Sequence, residues 1–159
     1  MDKLLNLLKQ NARLSNEQLA TMLGISENEV ADKIVQYEAQ GIIKGYTAIL
    51  DDELADKDSV SAFIEIKVTP KPNVGFSELA ETIMTYEEVE SVYLMSGGFD
   101  LAVIVSGNNL RDIALFVAQR LSALDGVLST ATHFVLKRYK DNGISLTKTE
   151  IDERSQTSW

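Results

Sequence analysis

The side chains best placed to do chemistry on a partner lie between residues 26 and 36. Glu27, Asn28, Ala31, Asp32, Val35 and Gln36 recur at the spacing of one helix face, while Val30, Ile34 and Tyr37 form the opposite, apolar stripe. A carboxamide such as Asn28 or Gln36 matches the major-groove edge of adenine, and a carboxylate can accept from cytosine N4. Lys33 sits near the flank of that face, and Ser26 opens the helix. Phosphate contacts would fall to Lys3, Lys9, Arg13, Lys33 and Lys44, assisted by helix N-termini. Glu27, Glu29 and Asp32 work against a polyanion, although acids near a helix N-terminus are favoured by its dipole. On a helix presented to a duplex, the chemistry would be that of reading base edges.

Other chemistries have little to work with. The 159 residues include no cysteine and one histidine, His133, which leaves no thiolate nucleophile, disulfide or thiolate metal site. There is no P-loop and no glycine-rich dinucleotide fingerprint, so no enzyme and no cofactor are expected. No apolar run approaches the ~20 residues of a membrane helix, and Asp2 argues against a signal peptide. A cytoplasmic protein is expected. The net charge of −9 has the wrong sign for coating nucleic acid. It is unevenly spread: residues 1–50 carry five basic and six acidic side chains (−1), residues 51–159 ten and eighteen (−8).

The elements that must position these residues are legible from caps and periodicity. Leu4, Leu5, Leu7 and Leu8 mark a first helix. Ser15 with Gln18, and Ser26 with Glu29, are capping boxes that open two further helices, ended by Gly24 and Gly41. Two capped helices around Gly24-Ile25-Ser26 predict a helix-turn-helix. Residues 42–50 read as β-rich with a turn at Gly45, which predicts a wing. The run Asp51–Asp58 reads as a solvated linker.

From Val60 the alternation becomes that of strands, ended by Pro70 and Pro72. A helix over 76–86, strands over 89–96 and 101–106, a helix over 110–124 and a strand from Gly126 to Leu136 complete the order βαββαβ. That order predicts a ferredoxin-like unit. The expected organisation is α+β: a winged helix-turn-helix over 1–50, a linker over 51–59, a ferredoxin-like unit over 60–140, and a loosely held polar tail over 141–159.

Taken together, these elements resemble the Lrp/AsnC family of transcription regulators over about residues 1–140. The resemblance rests on Glu17 to Ser26, on Val30, Ile34, Glu38 and Gly41 to Tyr46, on Ser96-Gly97-Gly98-Phe99-Asp100, and on Gly126-Val127 with Thr130, Thr132 and Phe134 to Lys137. It implies a DNA-binding front half and a back half that assembles homodimers into octamers and senses an amino acid or related metabolite. Family members usually carry arginine in the middle of the recognition helix, where this chain has Ala31-Asp32-Lys33. The family's effector position carries over to Gly97, Gly98, Phe99, Asp100, Thr130 and Thr132. Such residues suit an amino acid, since Asp100 can accept from an ammonium while glycine amides and threonine hydroxyls donate to a carboxylate. His133 alternates with the threonines and faces the other way. Phe63, opposite Val60, Ile64 and Val68, points to a partner on the uncovered sheet face, with Val103, Val105 and Leu128 contributing. The acidic recognition helix leaves an alternative, a partner-dependent sensor of the same fold with little DNA binding of its own.

Overall fold

The computed structural model describes residues 2–69 and 75–147. The chain divides into two compact units at Ala48/Ile49. The first holds α1 (Lys3–Gln10), α2 (Asn16–Leu23) and α3 (Glu27–Ala39). Their apolar stripes meet in a small core of Leu4, Leu19, Ala20 and Val30, with Leu8, Leu14 and Ile34 packed around it. Both capping boxes form. Ser15 Oγ accepts from Gln18 N at 3.1 Å while Gln18 Oε1 accepts from Ser15 N at 2.9 Å. Gly24 ends α2 at φ +68°, a left-handed conformation that lets the chain turn directly into α3. Gly41, also at φ +68°, closes α3 by a Schellman pattern in which Ile42 N donates to Tyr37 O and Gly41 N to Glu38 O.

The expected wing is a correction. Residues 42–50 form no strand. A strand needs a neighbour to take its backbone groups. Here Ile42 and Ile43 N–H both turn back to Tyr37 O, and Tyr46 is held by its hydroxyl on Glu38 at 2.9 Å. The acidic linker is corrected too, because Asp52–Ala55 forms a short helix, α4, capped by Asp51 accepting from Glu53 N at 3.1 Å. Acids in the first turn favour that helix by its dipole. Arg138 holds it: the guanidinium pairs with Asp52, reaches Leu50 O at 3.2 Å and pairs with Asp141 at 2.9 Å.

The remainder of the second unit comprises β1 (Val60–Val68), α5 (Phe76–Met84), β2 (Val89–Leu94), β3 (Leu101–Gly107), α6 (Leu110–Phe116) and β4 (Val127–Phe134). The sheet order is β2-β3-β1-β4, antiparallel throughout. That is the ferredoxin-like arrangement. Pro70 and Pro72 lie outside the described residues, as does the tail beyond residue 147. The last long helix is shorter than expected: α6 passes into a π-helical turn over Val117–Leu121, closed by Ser122 N donating to Val117 O at 2.8 Å. Residues 140–145 form a small hairpin of β5 (Lys140–Asp141) and β6 (Ile144–Ser145), not a loose tail.

Ala62, Ile64 and Ile66 of β1 and Leu101, Val103 and Val105 of β3 face the helices and are buried. Val103 and Val105 therefore belong to the core and not to the uncovered face, because they pair directly opposite Ile64 and Ala62. Leu128 is the extra residue of a bulge, since Lys67 pairs with Ser129 and Val68 with Val127. Arg120 is half exposed and lies over the Tyr86 ring at 4.2 Å while pairing with Glu88 at 3.1 Å.

A Cβ at Gly24 would touch no atom within 4 Å, so replacing it tests backbone conformation alone. Gly24→Ala is expected to cost the first unit about 1 kcal/mol, with Gly24→Asn costing less. Urea unfolding of the full chain, followed by helical circular dichroism, reads the difference.

Candidate functional site

On α3, Asn28, Asp32 and Val35 stand opposite the buried stripe of Val30, Ile34 and Tyr37 and make the helix's outermost ridge. Ala31, half-buried, and Gln36, exposed, flank it. Val35, read from the spacing as part of that outward face, is 62% exposed on the ridge. Glu27 and Lys33 are exposed to either side, Ser26 caps the helix, Arg13 lies in the turn before α2, and Lys44 follows α3. The structure thus gathers the residues of 26–36 on one helix.

The acids of α3 differ in employment. Glu29 Oε2 takes the Ser26 backbone N–H at 2.8 Å and the Ser26 hydroxyl at 2.7 Å. Those two bonds, with help from nearby Lys33, hold the Glu29 carboxyl below its ordinary range. Asp2 is likewise lowered, chiefly by accepting from Leu4 N at 2.8 Å, with Lys33 contributing. The Tyr46 hydroxyl is raised by desolvation and by its bond to Glu38.

In the second unit the turn Gly97–Asp100 joins β2 to β3. Gly97 and Gly98 face open space, as a Cβ at either would meet nothing within 4 Å. Phe99 leans onto the uncovered face, its ring edge-on to Phe63 with centroids 6.0 Å apart. Asp100 is built into the sheet. Its Oδ2 accepts from Val68 N at 2.7 Å, its N donates to Ile66 O at 3.0 Å, and its carbonyl accepts from Met95 N at 2.8 Å. It ties the ends of three strands together. Oδ1 makes no hydrogen bond to the described residues.

Thr130 and Thr132 share a face, as expected, but it is the helix-covered one: they pair opposite Ile66 and Ile64. Thr130 Oγ1 lies 3.2 Å from Ser122 Oγ at the end of the π-helical turn. Phe99 and the two threonines are therefore on opposite faces of the sheet within one chain. His133 faces away from the threonines, 3.4 Å from Glu65 and beside the Phe63 ring. The described residues of this unit enclose cavities away from that turn. One of about 220 Å³ is lined by α4 and Arg138, another of about 380 Å³ by Phe76, Leu79 and Leu124; neither includes Gly97–Asp100. The Arg138–Asp52 pair, 86 residues apart, left no signal in the sequence.

A capped helix-turn-helix ahead of an antiparallel βαββαβ unit is the layout of a DNA-binding regulator with a separate sensing unit. Residues 2–38 match the AsnC-type helix-turn-helix domain, and residues 61–144 match the Lrp/AsnC ligand binding domain. An HTH-type transcriptional regulator of Bacillus subtilis, YugG, is 46% identical over 96% of this chain and 92% of its own length. The leucine-responsive regulatory protein of Haemophilus influenzae is 31% identical over 92% of this chain and 87% of its own. A transcriptional regulator of Neisseria meningitidis, solved in complex with L-methionine, superposes with TM-score 0.72 at 25% identity, covering 92% of this chain and 97% of that one. The chain belongs to the Lrp/AsnC family of transcription regulators.

Two outcomes follow from this geometry. Asp100→Ala leaves Val68 N–H unpaired and is expected to cost about 1–3 kcal/mol in unfolding without any ligand present. A carboxylate serving only a ligand would leave that unfolding curve unchanged. Glu29, lowered in the folded state, lends stability that is complete above the ordinary carboxylate range and is lost as pH falls through its lowered value. Glu29→Gln should flatten the acid limb of the first unit's pH–stability curve, read by thermal melts between about pH 2 and 6.

Proposed function

We propose that the chain regulates transcription by binding double-stranded operator DNA through α3 while its second unit answers to an amino acid. The observation that carries this reading is the outward ridge of α3, exposed and unused by the fold, presented by a doubly capped helix pair. In this reading Asn28, Asp32 and Gln36 face base edges, Ala31 packs beside them, and Ser26 and Glu27 mark the helix end at the backbone. Arg13, Lys33 and Lys44 supply phosphate contacts.

The effector would seat on the Gly97–Gly98 amides, with the second oxygen of Asp100 accepting from its ammonium. An amino acid is supported by the L-methionine bound to the Neisseria meningitidis relative. Phe99 lies on the uncovered face, so a second copy would complete the site from that side, while Thr130 and Thr132 lie on the helix-covered face of their own copy and would stand apart from it. A homodimer would cover the sheet face of Phe63, Tyr93 and Ile104, and dimers would join into an octamer. The chain would work in the cytoplasm and without catalysis; no described helix is long and apolar enough to cross a membrane.

Fluorescence anisotropy with duplex DNA from the gene's own upstream region tests this, with pooled amino acids present or absent. Affinity should fall about tenfold between 50 and 200 mM salt for every two phosphates neutralised, and should change with the pool. A variant held as a dimer should bind poorly, since linking several half-sites raises effective concentration. Failure to bind any duplex would move the function to a partner-dependent sensor.

A further inference from the structure

We propose that Asp32 is a specificity-determining residue that selects cytosine, through its N4 amino group, in each half-site and rejects guanine there. The inference rests on the DNA-binding reading above and names what that face reads.

Asp32 has no structural employment. It is the sixth residue of α3, past the first turn in which an acid gains from the helix dipole. Asn28 and Glu29 precede it by one turn and Val35 and Gln36 follow, so no cation stands at ion-pairing distance along the helix. Its side chain forms no hydrogen bond or ion pair with the described residues. Aspartate is also a poor interior helix residue, because its carboxylate competes for backbone groups. Glu29, by contrast, is consumed by the Ser26 cap. Asp32 thus costs helix stability and phosphate attraction at once, and nothing among the described residues of the unit offsets either cost.

Its position supplies a compensating role. It is exposed at the middle of the ridge, between Asn28 and Val35, the side of α3 that meets base edges when a recognition helix enters the major groove. A carboxylate only accepts hydrogen bonds. Guanine offers two acceptors there, O6 and N7, and is repelled; cytosine offers the N4 donor. Adenine pairs its N6 donor with the N7 acceptor, an edge that suits the carboxamides of Asn28 and Gln36 better. No arginine stands on the ridge to reward guanine, and the Val35 methyls favour the apolar C5-methyl of thymine. Asp32 then supplies discrimination, not affinity.

The test is selection from a randomised double-stranded DNA pool by the full chain, followed by anisotropy on the selected and a scrambled duplex. Wild type should retain a fixed cytosine in each half-site. Asp32→Ala should bind scrambled DNA more tightly, lose the cytosine from its selected pool, and show a selected-to-scrambled ratio lower by about tenfold. Asp32→Asn should shift that position from cytosine toward adenine. The substitutions are exposed, and helical circular dichroism confirms folding of each. If both affinities rise together and the selected base persists, or if wild type selects guanine at that position, the inference falls. Salt-sensitive binding of scrambled DNA with no selected sequence also overturns it while leaving the regulator reading standing. No binding to any duplex removes both.

Discussion

The second unit depends on the alternation of β1. This strand lies between β3 and β4, so its two faces set inside and outside for the whole sheet. Ala62, Ile64 and Ile66, fully buried, can satisfy the hydrophobic effect only beneath α5 and α6, which drives Phe63, Glu65 and Lys67 to the other side. Register then propagates. Leu101, Val103 and Val105 follow β1 inward, and Thr130 and Thr132 follow it as well. A slip of one residue would reverse every assignment. Asp100 anchors the register at one end by holding the Val68 and Ile66 backbone across the gap between strands.

The two units solve opposite electrostatic problems. The helix-turn-helix must approach a polyanion with only five basic side chains, and part of the Lys33 field is taken up by Asp2 and Glu29. Few basic side chains leave little non-specific attraction to phosphates, so contacts to base edges matter more for such a head. The second unit carries nearly all the excess negative charge, some of it neutralised locally where Arg138 meets Asp52 and Asp141. Those acids stabilise a short helix and dock it, which a solvated linker would not require.

Local signals were legible in proportion to how short their range is. Both capping boxes, the Gly24 turn and the strand alternation involve residues a few positions apart, and each is present in the structure. The wing failed because residues 42–50 have β-forming side chains but no neighbouring strand. Val103 and Val105 were misassigned because their face depends on pairing with β1, forty residues earlier, and not on their own pattern. The ridge of α3 could be read from periodicity, whereas the employment of Glu29 and the idleness of Asp32 became visible only with the bonds in place.

The sequence by itself therefore determined the three helices of the first unit, the βαββαβ order of the second, the helix caps, the family and the outward residues of α3, because these follow from contacts within a turn or from period-2 and period-3.6 patterns. Tertiary structure alone decided where strand faces point, that Asp100 is committed to Val68, that Thr130 meets Ser122, and that Arg138 reaches Asp52. Each of these joins groups distant in sequence or turns on a strand's partner. Their identity is fixed by which surfaces must leave water together, and that is a property of the folded chain as a whole.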